Sequence, residues 1–128
     1  MIGKADATPM IAVKDIDRAK TFYAETLGLE AVEEAGGEVV TMKSGATKLN
    51  VYRSEFAGTN KATALTFDVA DIAGEVRDLK QKGILFEHYD MGDALTRDGD
   101  IYSGEGMKTA WFKDPDGNIL RLVEGETG

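Results

Sequence analysis

His88, within Phe86-Glu87-His88-Tyr89-Asp90, is the sole imidazole of the chain and the one side chain built to trade protons near neutral pH. No cysteine accompanies it, so thiolate catalysis, iron–sulfur clusters, Cys-rich zinc sites and disulfides are excluded. A second candidate is the pair Trp111 and Arg121, which flank Asp114-Pro115-Asp116-Gly117. That segment reads as a type I turn with Gly117 as bulge residue, which pairs Asp114 with Asn118 and sets Trp111 opposite Arg121. An indole at cation–π distance from a guanidinium would form an aromatic shelf with an anchoring charge. The plainer reading is a core tryptophan and an arginine that neutralises a carboxylate. Asp68, between Phe67 and Val69, must face solvent or find a partner, and Arg121 is one. Tyr52, on a strand of similar alternation, is a further lining candidate.

The composition narrows the classes of function. The 128 residues carry a formal charge of −8, which argues against nucleic-acid binding. Residues 87–106 hold six carboxylates against Arg97 alone, a net −5 that would attract cations if it bordered a cleft, or would simply be a solvated acidic loop. Ser44, Ser54 and Ser103 have no companion base in the sequence, and the Asp98-Gly99-Asp100 and Asp114–Asn118 segments lack the full spacing of a calcium loop. No targeting signal or membrane span is expected, and a cytoplasmic location is the default.

These residues must be placed by a repeated unit. Asp15 and Asp71, 56 residues apart, each follow an alternating apolar stretch and precede a helix-period pattern. Each Asp is positioned to cap its helix, and Gly28 and Gly83 are positioned to end them. Strands are expected at Glu30–Ala35, Glu38–Met42, Thr47–Arg53, Ile84–Tyr89, Met107–Lys113 and Asn118–Glu124. Residues 90–106, which include Tyr102, read as one long irregular loop. The expected organisation is a single domain over 1–128 made of two βαβββ modules, 8–56 and 62–124.

The segments Val13-Lys14-Asp15-Ile16-Asp17-Arg18-Ala19-Lys20-Thr21-Phe22-Tyr23-Ala24-Glu25-Thr26-Leu27-Gly28-Leu29 and Trp111-Phe112-Lys113-Asp114-Pro115-Asp116-Gly117-Asn118-Ile119-Leu120-Arg121-Leu122-Val123-Glu124 resemble signatures of the vicinal oxygen chelate superfamily, which includes glyoxalase I, extradiol dioxygenases and bleomycin-resistance proteins. The resemblance implies an α+β fold of two tandem βαβββ modules forming a cupped mixed sheet around a ligand cleft, often in a homodimer. It also implies four metal-ligand positions, usually His, Gln or Glu. Here they read Thr8, Asn50, Ala64 and Arg121. Alanine donates nothing and a guanidinium repels a dication, so no metal is expected there, and no cofactor.

The function this implies is a metal-free small-molecule binder for a cationic or aromatic ligand, with antibiotic sequestration as one role. Its expected ligand-binding residues are Asn50, Tyr52, Asp68, His88, Tyr102, Trp111 and Arg121. Partners would be the ligand and a second copy of the chain, with neither nucleic acid nor membrane. Two alternatives stay open: a glyoxalase-type lyase, isomerase or dioxygenase with an atypical site, for which His88 is the catalytic candidate, and a dimeric regulatory module.

Overall fold

The computed structural model describes residues 1–125, which fall into two compact units, Met1–Thr59 and a second that begins at Asn60. No described helix is long and apolar enough to cross a membrane.

In the first unit, strand β1 (Met10–Val13) leads to helix α1 (Ile16–Thr21), followed by β2 (Glu30–Ala35), β3 (Val39–Ser44) and β4 (Thr47–Arg53). The sheet order is β1-β4-β3-β2, with β1 parallel to β4 and the other pairs antiparallel. The Asp15 carboxylate accepts the Arg18 N–H at 3.1 Å, as the capping pattern predicts. Beyond Thr21 the helix widens into a π turn, in which Leu27 N–H donates to the Phe22 carbonyl at 3.0 Å. Gly28 then ends it at φ 82°. Ile16, Ala19, Phe22 and Tyr23 bury against Val40, Met42, Leu49 and Val51, one alternating face of the two central strands.

The second unit repeats the plan with additions. It contains β5 (Thr63–Asp68), α2 (Ile72–Gln81), β6 (Phe86–Glu87), β7 (Thr96–Asp98), β8 (Ile101–Gly104), β9 (Met107–Lys113) and β10 (Ile119–Glu124). The order is β5-β10-β9-β8-β7, with β6 also paired to β9 and β5 parallel to β10. Asp71 caps α2 through the Gly74 N–H at 3.1 Å, while Glu124 accepts the Ile72 N–H at 2.9 Å. Ile72, Val76 and Leu79 bury on the face of the sheet that carries Ala110, Phe112, Leu120 and Leu122. The two sheets, of four and six strands, form the α+β arrangement expected from the repeat.

Two local expectations are corrected. Residues 90–106 are not one irregular loop, because β7 and β8 form a hairpin within them that pairs Arg97 with Tyr102 and adds to the edge of β9. The strand expected at Ile84–Tyr89 is reduced to Phe86–Glu87. Ile84 N–H is spent on closing α2 through the Leu79 carbonyl, and the backbone of Tyr89 is taken by the Tyr102 hydroxyl rather than by a strand.

Candidate functional site

The turn that joins β9 and β10 sets the site's register. Asp114 N–H donates to the Asn118 carbonyl and Gly117 N–H to the Asp114 carbonyl, both at 3.0 Å, and Gly117 takes φ 90°. The Asp114 carboxylate also accepts from the backbone of Asp116 and Asn118 and from the Asn118 amide, which locks the turn. Trp111 therefore stands across from Arg121, as the turn chemistry predicts.

Alternation puts Trp111 on the sheet face opposite Phe112 and the helix. There it clusters with Tyr102 and Ile119, and Tyr89 and Leu95 pack against the group. The edges of Tyr89 and Tyr102 meet the indole at centroid distances of 5.5 and 5.2 Å. Trp111 Nε1–H donates to Thr63 Oγ1 at 3.2 Å, so the indole is anchored at both ends. Arg121 is set across the strands from this ring, but the ring contacts among the described residues are with the two tyrosines. Arg121 Nε is buried without an acceptor among the described residues.

A cavity of about 220 Å³ opens beside this cluster, lined by Lys61, Thr63, Tyr89, Met91, Trp111 and Ile119, together with Ala62. The Tyr89 hydroxyl is buried with no hydrogen-bond partner among the described residues. Burial of the phenol, with the Glu87 carboxylate and Tyr102 close by, raises its pKa above the ordinary tyrosine value, so it remains a donor at neutral pH. The lining combines aromatic and apolar surface from Tyr89, Trp111, Met91 and Ile119 with Thr63 and the Lys61 ammonium, and the Tyr89 hydroxyl is buried behind it.

The other sequence candidates are distributed differently. Tyr102 is buried, and its hydroxyl accepts the Tyr89 N–H at 2.6 Å and donates to the Tyr89 carbonyl at 3.0 Å, so it holds the cavity wall instead of facing a ligand. His88 is absent from the cavity lining. Its Nε2 lies 2.8 Å from Asp100 Oδ1, and Lys80 Nζ lies 2.6 Å from the other Asp100 oxygen. These hydrogen bonds, Lys80's first, hold the Asp100 carboxyl below its ordinary range. Asp68 is exposed on β5 opposite Val123, and no ion pair joins it to Arg121 among the described residues. Asn50 and Tyr52 belong to β4 of the first unit, where Asn50 Oδ1 accepts from Thr41 Oγ1 at 2.7 Å and Tyr52 pairs with Val39.

The acidic excess of 87–106 is partly spent inside the fold. Glu87 lies 3.5 Å from Lys113, Asp100 serves Lys80 and His88, and Asp90 accepts the Gly92 N–H. Tyr89, Lys61, Met91 and Thr63 are functional candidates that sequence reasoning missed. Tyr89 had a faint signal: Glu87 pairs with Trp111, and two residues further along an extended segment returns to the same face.

Sequence comparison matches residues 7–122 to the glyoxalase/bleomycin resistance protein/dioxygenase superfamily. The chain belongs to that superfamily. Comparison with curated proteins finds no match. Among solved structures, a glyoxalase family protein from Enterococcus faecalis is 26% identical at a TM-score of 0.72, covering 97% of this chain and 100% of that one. A lactoylglutathione lyase from Agrobacterium tumefaciens is 20% identical at 0.70, covering 95% and 94%. TnmS3, an antibiotic binding protein from Streptomyces sp. CB03234, is 19% identical at 0.68, covering 96% and 98%. The last two likenesses show the glyoxalase-type fold alone.

The residues at the four positions that the resemblance assigns to metal ligands do not have the chemistry to hold a divalent cation. Met10 pairs with Asn50 and Thr66 with Arg121, and positions 10 and 66 have the same separation as the two capping aspartates, which makes Asn50 and Arg121 counterparts. Asn50 Oδ1 is engaged by Thr41, and Arg121 is a cation. Thr8 is exposed ahead of β1, and Ala64 is skipped in the β5–β10 register, between Thr63 opposite Ile119 and Leu65 opposite Leu120. None of the four offers the imidazole or carboxylate that such ions require.

Proposed function

We propose that this glyoxalase-superfamily protein is a metal-free binder of small aromatic molecules, with the second unit's cavity as its site. The observation that carries the reading is the cavity wall, where Trp111, Tyr89 and Met91 present aromatic and thioether surface beside a few polar groups. A volume of about 220 Å³ compares with the roughly 150 Å³ that accommodates benzene in an engineered apolar cavity. The ligand is therefore a single-ring compound, or it presents one ring of a larger molecule such as an antibiotic. The charge of the wall favours an aromatic ligand over a cationic one, because its charged side chain is Lys61. The donor set at Thr8, Asn50, Ala64 and Arg121 supports the metal-free part of the reading.

The test uses the single tryptophan. Titration with neutral one-ring aromatics is expected to change Trp111 emission saturably. It should also raise the unfolding free energy by about 2.7 kcal/mol at a hundred times the dissociation constant. Both effects should be unchanged by EDTA. Loss of binding with chelator, or one tightly held transition metal per chain by elemental analysis, refutes the proposal.

A further inference from the structure

Two donors at this cavity, the Tyr89 hydroxyl and the Lys61 ammonium, have no acceptor among the described residues. The Tyr89 hydroxyl is buried without a partner among the described residues, although a buried hydroxyl ordinarily has one. Lys61 lines the same cavity and makes no ion pair among the described residues. It is held beside the mouth because Asn60 Oδ1 accepts the Ala62 N–H at 3.0 Å, an Asx turn centred on Lys61. Outside the lining, Arg121 Nε is also buried without an acceptor among the described residues, on the strand position paired with Trp111. Glu87, the carboxylate paired in register with Trp111, lies 3.5 Å from Lys113. The charged side chain of the cavity lining is thus a cation, in a chain of net charge −8.

Unpaired donors beside a ring-sized apolar wall call for a ligand that brings its own acceptor. We propose that the cavity selects aromatic carboxylates, seating the ring against Trp111 and the carboxylate between the Tyr89 hydroxyl and the Lys61 ammonium. This rests on the aromatic-binding reading above and adds the sign of the ligand's charge to it. Charge-assisted hydrogen bonds are roughly twice as strong as neutral ones, so the carboxylate would dominate the preference among ligands of one shape.

Benzoate, benzamide and benzamidinium share a shape and differ in charge, and the emission of Trp111 reports each. Benzoate is expected to bind about tenfold or more tighter than benzamide, with benzamidinium weakest. In K61M, a change at an exposed residue, benzoate should fall to the level of benzamide. In Y89F, which keeps the ring, both oxygen-bearing ligands should weaken together. Benzamidinium binding as tightly as benzoate, or a benzoate preference that survives in K61M, overturns the proposal. Benzamide binding without any preference for benzoate overturns the anion assignment alone. Silence of all three ligands overturns the aromatic-binding reading with it.

Discussion

Tyr102→Phe removes one oxygen from the protein and tests how the cavity wall is held. The Tyr102 side chain is 3% exposed, and its ring meets Trp111 at 5.2 Å, contacts that phenylalanine retains. What is lost is the hydroxyl that accepts the Tyr89 N–H at 2.6 Å and donates to the Tyr89 carbonyl at 3.0 Å. Each buried backbone group left unpaired costs about 1–3 kcal/mol, and Tyr89 is half-buried, so water recovers part of that. The expected net loss is roughly 2–3 kcal/mol, or a fall of about 8–12 °C in Tm for a chain of this size. Urea unfolding followed through Trp111 emission measures it directly. The same variant should weaken aromatic ligands, because Tyr89 loses the clasp that holds its ring against the indole. A change below about 0.5 kcal/mol would refute the reasoning, since that is the range of an inert surface substitution.

Two further outcomes are expected. Asp100 is held below its ordinary pKa, so its contribution is complete at neutral pH and is lost only as pH falls through and below the usual Asp range. Urea midpoints of wild type and D100N should therefore differ at pH 7 and converge towards pH 3, and a gap that is constant across that range would contradict the Lys80–Asp100–His88 assignment. At Gly104 a Cβ would lie 2.5 Å from the Ala94 carbonyl oxygen and 2.8 Å from Leu95 Cδ2. G104A should cost about 1–3 kcal/mol by displacing the segment that packs Leu95 over the Trp111 cluster, and a neutral result in urea unfolding would show that the segment yields freely.

Much of the fold was legible because its signals are local. Asp15 and Asp71 as caps, Gly28 and Gly83 as stops, and the Asp114–Asn118 turn each depend on groups within four residues of one another. The 56-residue repeat marked two units, and alternation placed Leu120 and Leu122 on one face and Arg121 on the other. The hairpin inside 90–106 was not legible, because charged residues on β7 conceal it and its pairing depends on Tyr102 burying against Trp111. The strand expected at Ile84–Tyr89 failed for a related reason, since a side-chain hydroxyl displaced the strand ladder at Tyr89.

For the site, the sequence alone determined that Trp111 would stand across from Arg121, and that the chain holds a single imidazole and no thiol. Turn geometry and residue identity are enough for those conclusions. Only the tertiary structure decided that His88 joins Asp100 and Lys80 instead of the cavity, that Tyr102 clasps Tyr89, and that Lys61 and Thr63 reach the cavity that Trp111 lines. Those contacts join residues 12 to 50 positions apart in a chain with no local pattern to announce them. The contacts at the cavity form because burying a tryptophan face recruits whatever aromatic and donor groups the completed sheet brings beside it.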